Sequence, residues 1–186
     1  MASYFVREPL NGEECNRLVN ACETFREKLV VWSLLDMGLR VSEFCDLKRK
    51  DIQWQENEVV IWGKRKKFNL RKKRRIVPLT PRVRQLFEIY FTTNDRFRFS
   101  VRTVQRLIRV VANRAMITSK PVSPHVLRHS FGVNCVKKGL SVASLSKIMG
   151  HERVETTTIY LNICPEDAII EFFRKIVGHR PQLWKD

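Results

Sequence analysis

Apolar residues recur at helical spacing through the N-terminal part of the chain, at Leu18, Val19, Phe25, Leu29, Val30, Leu34 and Leu35. This run predicts two helices with a joint near Thr24. Asn11 stands where a cap would stand, and Glu13 and Glu14 fall in the favourable first turn. Gly38 is the expected stop. Ser42–Lys48 reads as another short helix, with Phe44 and Leu47 on one face. The periodicity then changes. Val59–Trp62 and Arg75–Leu79 are β-branched runs of strand type, joined by a basic segment. They predict a small antiparallel sheet with a basic hairpin.

Thr80-Pro81 looks like a cap followed by proline at the first helical position. Helical patterns follow at Arg82–Phe91 and at Val101–Ala115, the second capped by Ser100. Ser123-Pro124 repeats the cap signal before HVLRHSFGVNCVKKG, which Gly139 ends. Ser141 opens a shorter helix stopped by Gly150, and Pro165 begins a final one. Roughly eight helices and two or three strands give a mainly α chain with a small antiparallel β-sheet, an α+β class. No internal repeat is visible.

Composition narrows the partners. With 186 residues, one compact domain over residues 1–186 is the default expectation. An apolar fraction of 44 % and a charged fraction of 29 % fit an ordinary soluble globule. Lysine plus arginine outnumber aspartate plus glutamate by 35 to 19, for a net charge of +16. Such a balance points to a polyanion: DNA, RNA or an anionic membrane. The five cysteines are scattered and form no CxxC, which suits reduced thiols in a cytosolic protein. No apolar run approaches the ~18 residues of a membrane span, and MASYFVREP does not resemble a signal peptide. A soluble, cytoplasmic protein that does not span a membrane is expected.

Several polar residues then stand out. Arg40 lies between Leu39 and Val41, just after a helix stop. His125 and Arg128, three apart, share a helix face. Lys64 starts a hairpin turn, His151 follows a helix-ending glycine, and Tyr160 sits in a Thr-rich segment. Two arginines, two histidines and a lysine make a nest of phosphate donors. No GxxxxGK[ST] loop is present to hold a nucleoside triphosphate, and no carboxylate cluster suits paired metals. No cofactor and no metal are therefore expected. The donors suit a phosphate ester already in the substrate, attacked by a side chain, with Tyr160 the candidate.

At the level of whole motifs, HVLRHSFGVNCVKKGLSVASLSKIMGHERVETTTIYL strongly resembles the signature of the tyrosine recombinases, the phage integrase family. GLRVSEFCDLKRKDI resembles that family's first box, and VVIWGKRKKFNLRKKRRIVPL its hairpin with the catalytic lysine. The resemblance implies the family's DNA breaking-and-rejoining catalytic fold. Arg40 and Arg128 match the arginines that grip the scissile phosphate. His125 matches the histidine of HxxR, implied to help move the tyrosine's proton. His151 matches a His-or-Trp position that donates to a phosphate oxygen, and Lys64 the general acid. Tyr160 matches the nucleophile, and Glu43 an acidic position that supports the site. The implied activity is cleavage and rejoining of double-stranded DNA through a 3′-phosphotyrosine, without metal or ATP. The departures are Leu161-Asn162, where the family commonly has Thr-His, and the N-terminus. Only about 37 residues precede the first box, too few for the family's core-binding domain.

Duller readings compete at each position. Tyr160 alone would be a half-buried aromatic. His125 and His129 at i, i+4 could suggest zinc, but no third ligand is near. Lys64–Arg75 carries nine basic residues in twelve and could be a solvated charge run. The preferred reading lays Arg65, Lys66, Lys67, Arg71, Lys72, Lys73 and Arg74 along a DNA backbone, with Lys66 and Lys67 as alternatives to Lys64 for the acid. Arg102 and Arg106, with Arg109, could enter a groove or grip phosphates. The helix within residues 164–178 has an apolar stripe. It packs either on its own domain or, as the resemblance implies, on a neighbouring subunit in a tetrameric synapse on DNA. A type IB topoisomerase-like activity and a non-catalytic DNA-binding regulator remain the alternatives to a site-specific recombinase.

Overall fold

A computed structural model describes residues 8–63 and 74–150. Side-chain caps and left-handed glycines cut this chain into elements. Helix α1, Gly12–Asn20, starts in a capping box. Asn11 Oδ1 accepts from the Glu14 amide, and Glu14 Oε2 accepts from the Asn11 amide, each at 2.8 Å. Thr24 and Glu27 repeat the device for α2, Phe25–Met37. Gly38, at φ 58°, ends α2. Helix α3, Val41–Asp46, is shorter at its C-terminal end than the predicted Ser42–Lys48. The reason is tertiary: Leu47 turns extended, its carbonyl accepts from the Phe97 amide at 3.0 Å, and Lys48 bridges to Arg96.

A 3₁₀ turn at Arg49–Asp51 leads into β1, Ile52–Gln53. Strands β2, Glu58–Trp62, and β3, Arg74–Pro78, complete an antiparallel sheet in the order β1-β2-β3. The hairpin strands match the predicted runs. Strand β1 is too short to leave an alternation in the sequence. Val59, Ile61 and Val77 face the core, while Trp62 and Ile76 on the other face are about half exposed.

Helix α4, Pro81–Phe91, carries proline in its first turn as expected, but Thr80 does not cap it. The Thr80 hydroxyl instead donates to Asp36 Oδ2 at 3.0 Å, beside the Arg82 guanidinium on the same carboxylate. Helix α5 is Val101–Arg114, capped by Ser100. Helix α6 is Pro124–Lys137, where Ser123 Oγ accepts from the Val126 amide at 3.4 Å. Helix α7, Val142–Met149, runs from a Ser141 cap to Gly150 at φ 66°.

The chain divides into two compact units after Phe131, within α6. In the first, α2 is the central helix and packs against α1, α4 and α5. Its Leu29, Val30, Val31, Leu34 and Met37 are fully buried. Below α3, Phe44 stacks on Phe97 at 4.6 Å, and Phe87 and Phe91 join the same aromatic cluster. In the second unit, Leu145 and Met149 form the buried side of α7. Among the described residues no helix is long and apolar enough to cross a membrane.

Candidate active site

The site is assembled in the first unit from the segment after α2, the start of α6 and the root of the hairpin. Gly38 lets the chain leave α2 in a left-handed turn, so Arg40 arrives at the N-cap of α3 with extended backbone. Glu43, one turn on, reaches back. Its Oε2 accepts from the Arg40 amide at 2.8 Å and its Oε1 accepts from Arg40 Nη1 at 2.9 Å. Arg40 is thus held at both backbone and side chain by one carboxylate.

Arg128 comes from the first turns of α6 and is buried, 7 % exposed. Its Nη1 donates to the carbonyl of Gly38, across 90 positions of sequence. That contact seats the Arg128 guanidinium on the carbonyl two residues before Arg40. His125 lies one turn earlier on the same helix and is exposed. His125 and Arg128, three apart, share a face of α6, and Arg128 reaches the backbone just ahead of Arg40. His129, half-buried beside them, has its imidazole pKa pushed below the ordinary value by burial.

The sequence reading missed one member of the site. Arg75 pairs across the hairpin with Ile61, on the face of Val59 and Val77, and so turns toward the core. Its Nη1 and Nη2 donate to Glu43 Oε1 and Oε2 at 2.6 and 2.7 Å. A signal was present in the sequence: Arg75 is in phase with Val77 and Leu79, both buried. It differs in this from Arg74, which is exposed as expected of a hairpin cation.

Glu43 is where the charges meet. Burial by itself would raise its pKa from the ordinary 4.5. The Arg75 hydrogen bonds and charge, then the Arg40 amide and guanidinium, reverse this and hold it at about 2. The carboxylate is therefore ionised across the working pH range, and both arginines keep their counter-charge.

Arg102 and Arg106 lie exposed on α5, away from its buried stripe of Val104, Ile108 and Val111. Among the described residues no group of three or more His, Cys, Asp or Glu side chains could hold a metal ion. Lys64, Arg65, Lys66, Lys67, Arg71, Lys72, Lys73, His151, Tyr160 and the helix predicted within residues 164–178 lie outside the described residues.

Residues 8–166 match the Phage integrase family. The chain belongs to that family. A tyrosine recombinase XerA from Thermococcus kodakarensis is 31 % identical over 173 residues, 84 % of this chain and 58 % of that protein. This phage integrase family member thus spans little more than half the length of the curated relatives it matches. The crystal structure of a XerA recombinase superposes with a TM-score of 0.74 at 29 % identity, covering 94 % of this chain and 64 % of that one. The catalytic domain of bacteriophage HP1 integrase superposes with a TM-score of 0.69, covering 95 % of this chain and 99 % of that one. At 23 % identity the latter likeness shows the fold alone. Fold and family are those that the three sequence boxes imply.

Proposed function

We propose that the chain is the catalytic domain of a site-specific DNA recombinase or integrase that cleaves and rejoins strands through a covalent 3′-phosphotyrosine. The observation that supports this reading is the tie from Arg128 to the Gly38 carbonyl, which links the helix carrying one family arginine to the segment that leads into the other. Two guanidiniums held this way, one of them locked by Glu43, suit the two non-bridging oxygens of a single phosphodiester. Family membership supplies the expectation that such a phosphate is in DNA. The net charge of +16 supports the same partner.

In the proposed reaction, the Tyr160 phenolic oxygen attacks the phosphorus. The new bond joins Tyr160 to the 3′-phosphoryl group, and the bond from phosphorus to the 5′-oxygen breaks. A free phenol has a pKa near ~10, so its proton needs an acceptor, and His125 takes that role. Lys64 returns a proton to the leaving 5′-oxygen, with Lys66 and Lys67 as alternatives. Arg40, Arg128 and His151 stabilise the charge that builds on the phosphoryl oxygens. One ester replaces another, so the step needs no ATP and reverses when a 5′-hydroxyl from another strand attacks. Assembly on DNA through the helix within 164–178 and association with the nucleoid belong to the same reading.

The test is a nicked suicide duplex carrying the protein's genomic attachment region. A covalent adduct mapped to Tyr160, and lost in Tyr160→Phe, supports the reading. Relaxation of supercoiled plasmid without joining of two duplexes would favour a topoisomerase-like activity. Unchanged cleavage by Tyr160→Phe would remove the proposed nucleophile.

A further inference from the structure

We propose that Arg75 is a positioning residue for strand cleavage. By gripping both oxygens of Glu43 it fixes the plane in which Glu43 holds Arg40, and so ties the root of the basic hairpin to the phosphate-gripping guanidinium. The inference rests on the recombinase reading above and adds a residue to it.

The geometry is specific. Glu43 Oε1 accepts from Arg40 Nη1 at 2.9 Å and Arg75 Nη1 at 2.6 Å. Glu43 Oε2 accepts from the Arg40 amide at 2.8 Å and Arg75 Nη2 at 2.7 Å. Four donors fill one carboxylate, which has about four lone-pair sites. The Glu43 and Arg75 side chains are only 9 % and 11 % exposed, so water is a poor substitute for either partner. The Arg40 side chain, by contrast, is 41 % exposed. Arg40 therefore takes its orientation from Glu43, and Glu43 takes its own from the Arg75 fork. Arg75 itself is anchored by β3, through its pairing with Ile61 of β2. A lysine at 75 would keep the charge but could not span both oxygens.

The test compares wild type, Arg75→Lys, Glu43→Gln and Arg40→Ala in the full chain on two nicked suicide duplexes of the attachment region. One carries the normal scissile phosphodiester and the other a methylphosphonate there, which lacks the negative charge that Arg40 would neutralise. Circular dichroism first shows that each variant is folded, and Glu43→Gln serves as an independent probe of the same link. A misplacement of the order of 1 Å costs up to about 10²-fold in rate, so Arg75→Lys should slow adduct formation by roughly 10- to 100-fold on the phosphodiester. Duplex binding should stay unchanged. On the methylphosphonate the deficit should largely vanish, as for Arg40→Ala. An equal deficit on both duplexes, or none on either, overturns the role of Arg75 while leaving the recombinase reading intact. Absence of any adduct from wild type on both duplexes overturns the recombinase reading and this inference with it.

Discussion

The Phe131 ring occupies the space that a side chain at Gly38 would need. A Cβ placed on Gly38 would lie 2.3 Å from Phe131 Cδ1 and 2.7 Å from Cε1. Gly38 is also left-handed, at φ 58°. Both features serve the site: the close approach lets Arg128 reach the Gly38 carbonyl, and the turn delivers Arg40 to the cap of α3.

Gly38→Ala should therefore destabilise the fold by about 2–4 kcal/mol, from left-handed strain plus overpacking. Urea denaturation measures it. Truncating Phe131 to Ala in the same chain removes the clash and leaves the strain, so the two substitutions should be less than additive. A Gly38→Ala variant as stable as wild type would contradict the packing described.

Glu43 makes stability depend on pH in a definite direction. Its folded pKa of about 2 lies below the ordinary 4.5, so between these values the unfolded chain binds a proton that the folded chain refuses. The contribution is fully present above about 4.5 and is lost as pH falls toward about 2. The shift corresponds to about 3 kcal/mol. Glu14 and Glu27 are also lowered, so the informative quantity is the difference between wild type and Glu43→Gln. The two stability curves should converge on acidification through that window. Curves that stay parallel would count against the ion-paired state of Glu43.

DNA affinity should fall steeply with salt, because the proposed contacts are to phosphates. Arg102→Ala and Arg106→Ala, on the exposed side of α5, should each weaken binding across all sequences and reduce the salt slope by about one. Fluorescence anisotropy at several salt concentrations reads both effects. Unchanged slopes would remove these two arginines from the interface.

Cys22 should resist alkylation in the native protein. It is buried, its thiol donates to the Leu18 carbonyl at 3.4 Å, and burial, with the nearby Glu27 charge, pushes its pKa to about 12. Iodoacetamide at pH 8 followed by peptide mapping should label Cys22 only after denaturant is added. Fast native labelling would mean that the end of α1 opens readily.

Much of the framework is legible without coordinates. Asn11, Ser100 and Ser141 act as caps where they were expected, and Thr24 caps α2 at the expected joint, because an N-cap bond joins residues only three apart. Gly38 and Gly150 adopt positive φ at the expected stops. Thr80 shows where local reasoning ends: its hydroxyl prefers Asp36, 44 positions away, to the helix it precedes. The end of α3 was misjudged for the same reason, since the segment around Asp95–Phe97 draws the backbone of Leu47 and Arg49 out of the helix.

The site divides along the same line. Arg40 could be singled out because it follows a helix stop between two apolar residues, and His125 and Arg128 because they stand three apart on one helix face. Arg75 was hidden in a run of nine basic residues, where one more cation carries no information by itself. Only the strand register separates it from Arg74, turning one guanidinium inward onto a buried carboxylate and leaving the other in solvent. Sequence alone nominated the candidate side chains and located most helix starts, since both depend on residue type and short spacing. The tertiary structure decided which of the cations are bound to one another, because a charge finds its partner through space and the partner of Arg75 lies 32 positions away.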